Sequence, residues 1–69
     1  MFVLTVDGMS CQNCIRHVTA AIRSQDPKAI IEIKLAENLV YVETKTDLEK
    51  IKRALDNDGY HVLQSEMRP

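Results

Sequence analysis

The chain has no tryptophan, one phenylalanine, two glycines, two prolines and two cysteines among its 69 residues. So few breakers leave no internal linker and no low-complexity segment, and a chain this short builds one core, so residues 1–69 read as a single domain. There is no excess of either charge: nine basic residues are interspersed with ten acidic ones, for a formal net charge of −1. Nucleic-acid binding would show as a basic stripe with a positive total, so no nucleic acid is expected as a partner. No run approaches the ~20 apolar residues of a membrane span, so no direct membrane insertion is expected. The opening MFVLTV lacks the basic start and longer apolar stretch of a secretion signal, and Asp7 interrupts it. The expected location is cytoplasmic, where thiols stay reduced and a close cysteine pair is metal-binding or catalytic in preference to a structural staple.

What is present is periodic. Phe2, Leu4 and Val6 alternate with Val3, Thr5 and Asp7, the period of a strand with one face on a core. Ile15, Val18 and Ile22 then recur at helical spacing with Ala21 beside them, and the helix is expected to end near Ser24 because Pro27 comes soon after. Ile31, Ile33 and Leu35, a turn at Ala36–Asn38, and Val40 and Val42 describe a hairpin. The segment TDLE, residues 46–49, reads as a capping box with Thr46 as the cap. It opens a stripe of Leu48, Ile51, Ala54 and Leu55 that stops at Gly59. A short last strand, Tyr60–Leu63, leaves a polar tail that includes 65–69. Strand, helix, strand, strand, helix, strand implies an α+β fold of ferredoxin-like type: a four-stranded antiparallel sheet with two helices on one face.

Both cysteines lie in GMSCQNC, residues 8–14, between the first strand and first helix. Amides at a helix start and the positive end of its dipole favour thiolate over thiol, and Arg16 adds positive charge. Two thiolates with one monovalent cation carry a net −1 that the same groups stabilise. Copper(I) is soft and is satisfied by two sulfurs, whereas structural zinc generally takes four ligands, so Cu(I) suits the pair best and Zn(II) is the weaker binder. The competing reading is a dithiol-disulfide oxidoreductase, whose motif also comes after a strand and opens a helix. Against it stand the shortness of the chain, Gln12 and Asn13 between the cysteines, and the lack of a flanking tryptophan. The bland reading, two small buried hydrophobes, sits poorly with a polar loop. Met9 reads as packing or as a soft ligand. His17, one turn beyond Cys14, reads as a surface residue or as a third ligand. His61 is expected to face solvent.

The motif GMSCQNC in its strand-loop-helix setting, the order of elements, and DGY at residues 58–60 together resemble the heavy-metal-associated domain, in particular copper chaperones of the CopZ type, over residues 2 to 64. The resemblance implies Cu(I) held by Cys11 and Cys14, with Met9, Ser10 and Tyr60 supporting the site: Met9 tucked into the core and Tyr60 on a neighbouring loop. It implies a non-enzymatic carrier that passes copper to the metal-binding domain of a copper-transporting P-type ATPase or to a copper-sensing regulator. The expected state is a monomer, with a copper-bridged dimer as the alternative. Met1 opening directly onto the first strand favours a free-standing carrier over a domain excised from the ATPase itself. Arg16 and Arg23, on the polar side of the first helix, are the candidate docking residues. PKAI, residues 27–30, departs from the glycine and valine often found there in the family, which bears on the docking surface more than on the ligands.

Overall fold

Side-chain alternation in the first strand sets the inner face of the sheet. In the computed structural model, which describes residues 1–9 and 12–68, strand β1 spans Phe2–Asp7 and buries Leu4 and Val6 completely. Next come helix α1 (Gln12–Gln25), β2 (Ile30–Lys34), β3 (Leu39–Glu43), helix α2 (Leu48–Asn57) and β4 (His61–Met67). The strands lie in the order β2-β3-β1-β4, every neighbouring pair antiparallel. Leu4 and Val6 of β1 and Val40 and Val42 of β3 share one core cluster with Val18 and Ile22 of α1 and Ile51 and Leu55 of α2. Both helices therefore cover the same face of the sheet, the ferredoxin-like arrangement that the element order implies.

The structure differs from the sequence expectation in four places, each for a non-local reason. Helix α1 is rotated: its buried residues are Cys14, Val18, Ala21 and Ile22, while Ile15 is only half-buried. One residue is ~100° of helix, so seating Cys14 on the sheet moves Ile15 to the flank. Leu35 leaves β2 to begin a short 3-10 helix, Leu35–Glu37, closed by Asn38 in the left-handed region at φ 57°. The cap of α2 is Asp47, not Thr46. Asp47 Oδ1 accepts from the Glu49 amide at 3.1 Å, whereas the Thr46 amide donates to Thr44 Oγ1 at 3.1 Å. Finally, β4 starts at His61 and runs on to Met67, through most of the expected tail. Ser65, Glu66 and Met67 pair with Leu4, Val3 and Phe2, after a register shift between Thr5 and Val6. Backbone pairing with β1 needs no apolar side chains, so hydropathy does not reveal this half of the strand.

Asp47→Ala is expected to cost about 1 kcal/mol and to lower Tm by about 4–8 °C in a domain of this size. Thr46→Ala should cost less than half as much. Thermal unfolding of the two variants beside the parent distinguishes the caps: equal losses would return the capping role to Thr46.

The far end of α2 conforms to expectation and sets the turn into β4. Gly59 has φ +88°, its amide donates to the Asp56 carbonyl at 3.0 Å, and the Tyr60 amide donates to the Leu55 carbonyl at 3.0 Å. This pair of bonds is the Schellman stop, in which glycine takes the left-handed position without a Cβ penalty. It fixes the direction in which the chain leaves the helix and so the place of Tyr60. Opposite, at the other end of α1, the Thr44 hydroxyl and the Lys28 amide bond the Asp26 carboxylate, and these bonds hold its pKa below the ordinary value of 3.8. Among the described residues no helix is long and apolar enough to cross a membrane.

Candidate metal centre

The loop between β1 and α1 is shaped by three residues before the first cysteine. Asp7 Oδ1 accepts from the Gly8 amide at 3.0 Å, which turns the chain as it leaves the strand. Gly8 has φ +92°, a conformation that a side chain disfavours. A Cβ placed there would stand 3.6 Å from the Gly59 carbonyl oxygen and 3.7 Å from Tyr60 Cδ1, so the loop lies directly against the turn after α2. Met9 then points inward, 4% exposed and part of the core cluster. That is packing in the structure, and the loop is anchored from beneath by it.

Ser10 and Cys11 lie outside the described residues, so the ligand role of Cys11 and the supporting role of Ser10 rest on the sequence. Cys14, the third residue of α1, is buried, and its Sγ donates to the Gly8 carbonyl at 3.7 Å. No acidic side chain occupies the first turn of α1. The thiol is a member of the core and bonds the loop at the Gly8 carbonyl.

Tyr60 is buried at 7% exposure, and its hydroxyl lies 3.3 Å from His17 Nδ1. His17 is thus turned to the α2–β4 turn, although its residue as a whole is exposed. His61 is exposed as expected and its Nδ1 lies 3.1 Å from Asp56 Oδ1. Arg16 and Arg23 are both exposed, seven residues apart and so on one side of α1. The structure brings together Met9, Cys14, His17 and Tyr60 around Gly8. Residues that composition and motif left without a role are Asp7, Gly8 and Asn38. The Asn38 carbonyl accepts from the Val6 amide at 2.9 Å and ties the 3-10 turn to the same end of β1. The available signal for the first two was the Asp-Gly pair at a strand end, a turn former with a stated mechanism.

Comparison with known proteins bears on what this arrangement holds. The model of the heavy-metal-associated domain matches residues 3–61. The copper chaperone CopZ of Staphylococcus epidermidis is 35% identical over 63 residues, covering 87% of this chain and 93% of that protein. A probable copper-exporting P-type ATPase of Archaeoglobus fulgidus is 28% identical over 64 residues, which are 88% of this chain and 8% of the ATPase. Among solved structures, the copper chaperone Atx1 from Synechocystis PCC6803 superposes with a TM-score of 0.83 at 28% identity, covering 87% of this chain and 95% of that one.

Proposed function

The chain belongs to the heavy-metal-associated domain family, and on that footing we propose that it is a copper(I) metallochaperone. It holds one Cu(I) between the thiolates of Cys11 and Cys14 and gives it up by ligand exchange, without catalysing a reaction. Zn(II) binds more weakly, because a two-sulfur site leaves it short of its usual four ligands. The observation that carries this reading is the seating of Cys14: a thiol in the first turn of a helix, packed into the core cluster beside the β1–α1 loop. Such a scaffold presents the ligand in advance, and a metal of low coordination number leaves space for a third thiolate to attack. Copper then passes through shared ligands and is never free.

The acceptor in this reading is the metal-binding domain of a copper-transporting P-type ATPase or a copper-sensing regulator, in the cytoplasm. The likeness of this chain to a segment of a copper-exporting ATPase supports docking of like on like, with the exposed rim of the metal loop as the contact. The carrier works as a monomer, and a dimer bridged by copper forms when a second chain supplies the additional thiolates. An anaerobic Cu(I) titration with the mass of the native complex measured at each step tests the reading. One copper per chain is expected, with no turnover of a disulfide substrate. Turnover without copper uptake would make the chain a dithiol oxidoreductase instead.

Arg16 and Arg23 offer positive charge beside the rim to an acidic face on the acceptor. Complementary charge acts on encounter rate and orientation, and exposed pairs are screened within about 10 Å at 0.1 M salt. Reversing both, Arg16→Glu with Arg23→Glu, should slow copper transfer about tenfold at low ionic strength and leave Cu(I) affinity nearly unchanged. Transfer kinetics against the acceptor domain decide this: a rate indifferent to salt and to the reversal would assign docking to apolar loop contacts.

A further inference from the structure

We propose that His17 is a positioning residue for Tyr60, and that the hydrogen bond between them fastens the rim of the cysteine site and slows metal exchange. The inference rests on the copper-carrier reading. Its starting point is the 3.3 Å approach of His17 Nδ1 and Tyr60 Oη, residues 43 apart in the chain. Helix α1 carries both His17 and Cys14, three residues apart and so neighbours on its surface. Tyr60 comes from the other side, set in place by the Schellman stop of α2. Its ring edge lies against Gly8, where a Cβ would meet Cδ1 at 3.7 Å, and the carbonyl of that same Gly8 receives the Cys14 thiol. In the metal-free protein, where the Cys14 thiol carries its proton, His17, Tyr60, Gly8 and Cys14 thus stand side by side around the β1–α1 loop.

The mechanical consequence depends on which parts must move. A third thiolate has to come in past the rim where the Tyr60 ring sits beside Gly8, and a ring free to swing aside widens that approach. The His17 bond resists that swing. It is available in either tautomer of the neutral imidazole, because a phenol both donates and accepts. His17 has no comparable service to perform for the core, since it is an exposed helix residue and the core cluster closes without it. This separates its role from simple packing.

The test uses the full chain loaded anaerobically with one Cu(I) and mixed with excess bathocuproine disulfonate, the rate of copper removal being followed by absorbance. Loss of one hydrogen bond should speed removal about two- to tenfold in His17→Ala and in Tyr60→Phe. The double variant should be no faster than the faster single one, because both remove the same bond. His17→Asn, whose amide can take the place of Nδ1, should return the rate toward that of the parent, while urea midpoints of the apo forms stay close together. In the apo protein the imidazole nitrogen resonances of His17 should move on Tyr60→Phe. Unchanged rates, or effects that multiply in the double variant, would overturn the proposal. Copper–nitrogen scattering lost in His17→Ala would overturn it as well, by making His17 a ligand. A chain that takes up no Cu(I) at all would instead sink the carrier reading, and the imidazole resonances would still report whether the bond exists.

Discussion

Cys11→Ser and Cys14→Ser are each expected to lower Cu(I) affinity at least about 100-fold, the upper range found when mere supporting groups of metal sites are changed. A serine hydroxyl stays protonated at neutral pH and is a hard donor, so a single remaining thiolate must hold a soft cation alone. The two variants should differ in a second respect. Cys14 is 8% exposed and belongs to the core cluster, so placing a hydroxyl there should cost the apo protein roughly 1 kcal/mol, even with the Gly8 carbonyl within reach to accept from it. Competition titrations against a Cu(I) chelator give the affinities, and urea unfolding of the metal-free forms gives the stabilities. If both variants kept the parent's affinity, copper would be held elsewhere. If Cys14→Ser cost nothing in stability, the burial of that thiol would have no energetic meaning.

Leu55→Ala should be among the most damaging single changes to the fold. Leu55 is fully buried in the cluster that joins α2 to the sheet, and truncations of this kind cost about 2–5 kcal/mol through lost transfer energy and the cavity left behind. A loss of about 3 kcal/mol corresponds to a fall in Tm of about 12–24 °C in a domain of this size. Small domains have total stabilities toward the low end of about 5–15 kcal/mol, so a sizeable fraction of the variant should be unfolded at 37 °C. The Leu55 carbonyl also receives the Tyr60 amide, so loosening the end of α2 should disturb the turn beside the metal loop. Cu(I) added in excess should recover part of the lost Tm, because a ligand that binds only the folded chain stabilises it by mass action. Thermal unfolding with and without copper measures both effects. An unchanged Tm would mean that the core is not organised around Leu55, and a Tm indifferent to copper would count against copper binding by the folded chain.

The readable parts of this protein are those whose cause lies within one turn or one pleat. Alternation along Leu39–Glu43, the stripe through Ile51 and Leu55, and the stop at Gly59 each come from neighbours two to four residues apart, and the structure has them where the pattern puts them; in Phe2–Asp7 the expected alternation is broken by Val3, which is buried as well as Leu4 and Val6. The thiol pair was legible as a motif, two soft ligands three residues apart beside a helix start, and its role as the metal ligands rests on the sequence. Thr46 completes the capping-box pattern, whereas the structure caps α2 one residue later with Asp47. The choice depended on where α2 begins, and that is set by how the helix docks through Ile51 and Leu55.

By itself the sequence determined the order of elements, the class of fold and the identity of the candidate ligands, because propensity, periodicity and ligand softness are local properties. Tertiary structure alone decided the rotation of α1 that buries Cys14 in preference to Ile15, and the extension of β4 along β1 to Met67. It also decided the meeting of His17 with Tyr60 at the rim of the site. Each of these joins segments far apart in the chain. Which side of a helix meets the sheet, how far a polar strand pairs, and which ring reaches which hydroxyl are settled only when those segments pack, and no pattern within any one of them records the outcome.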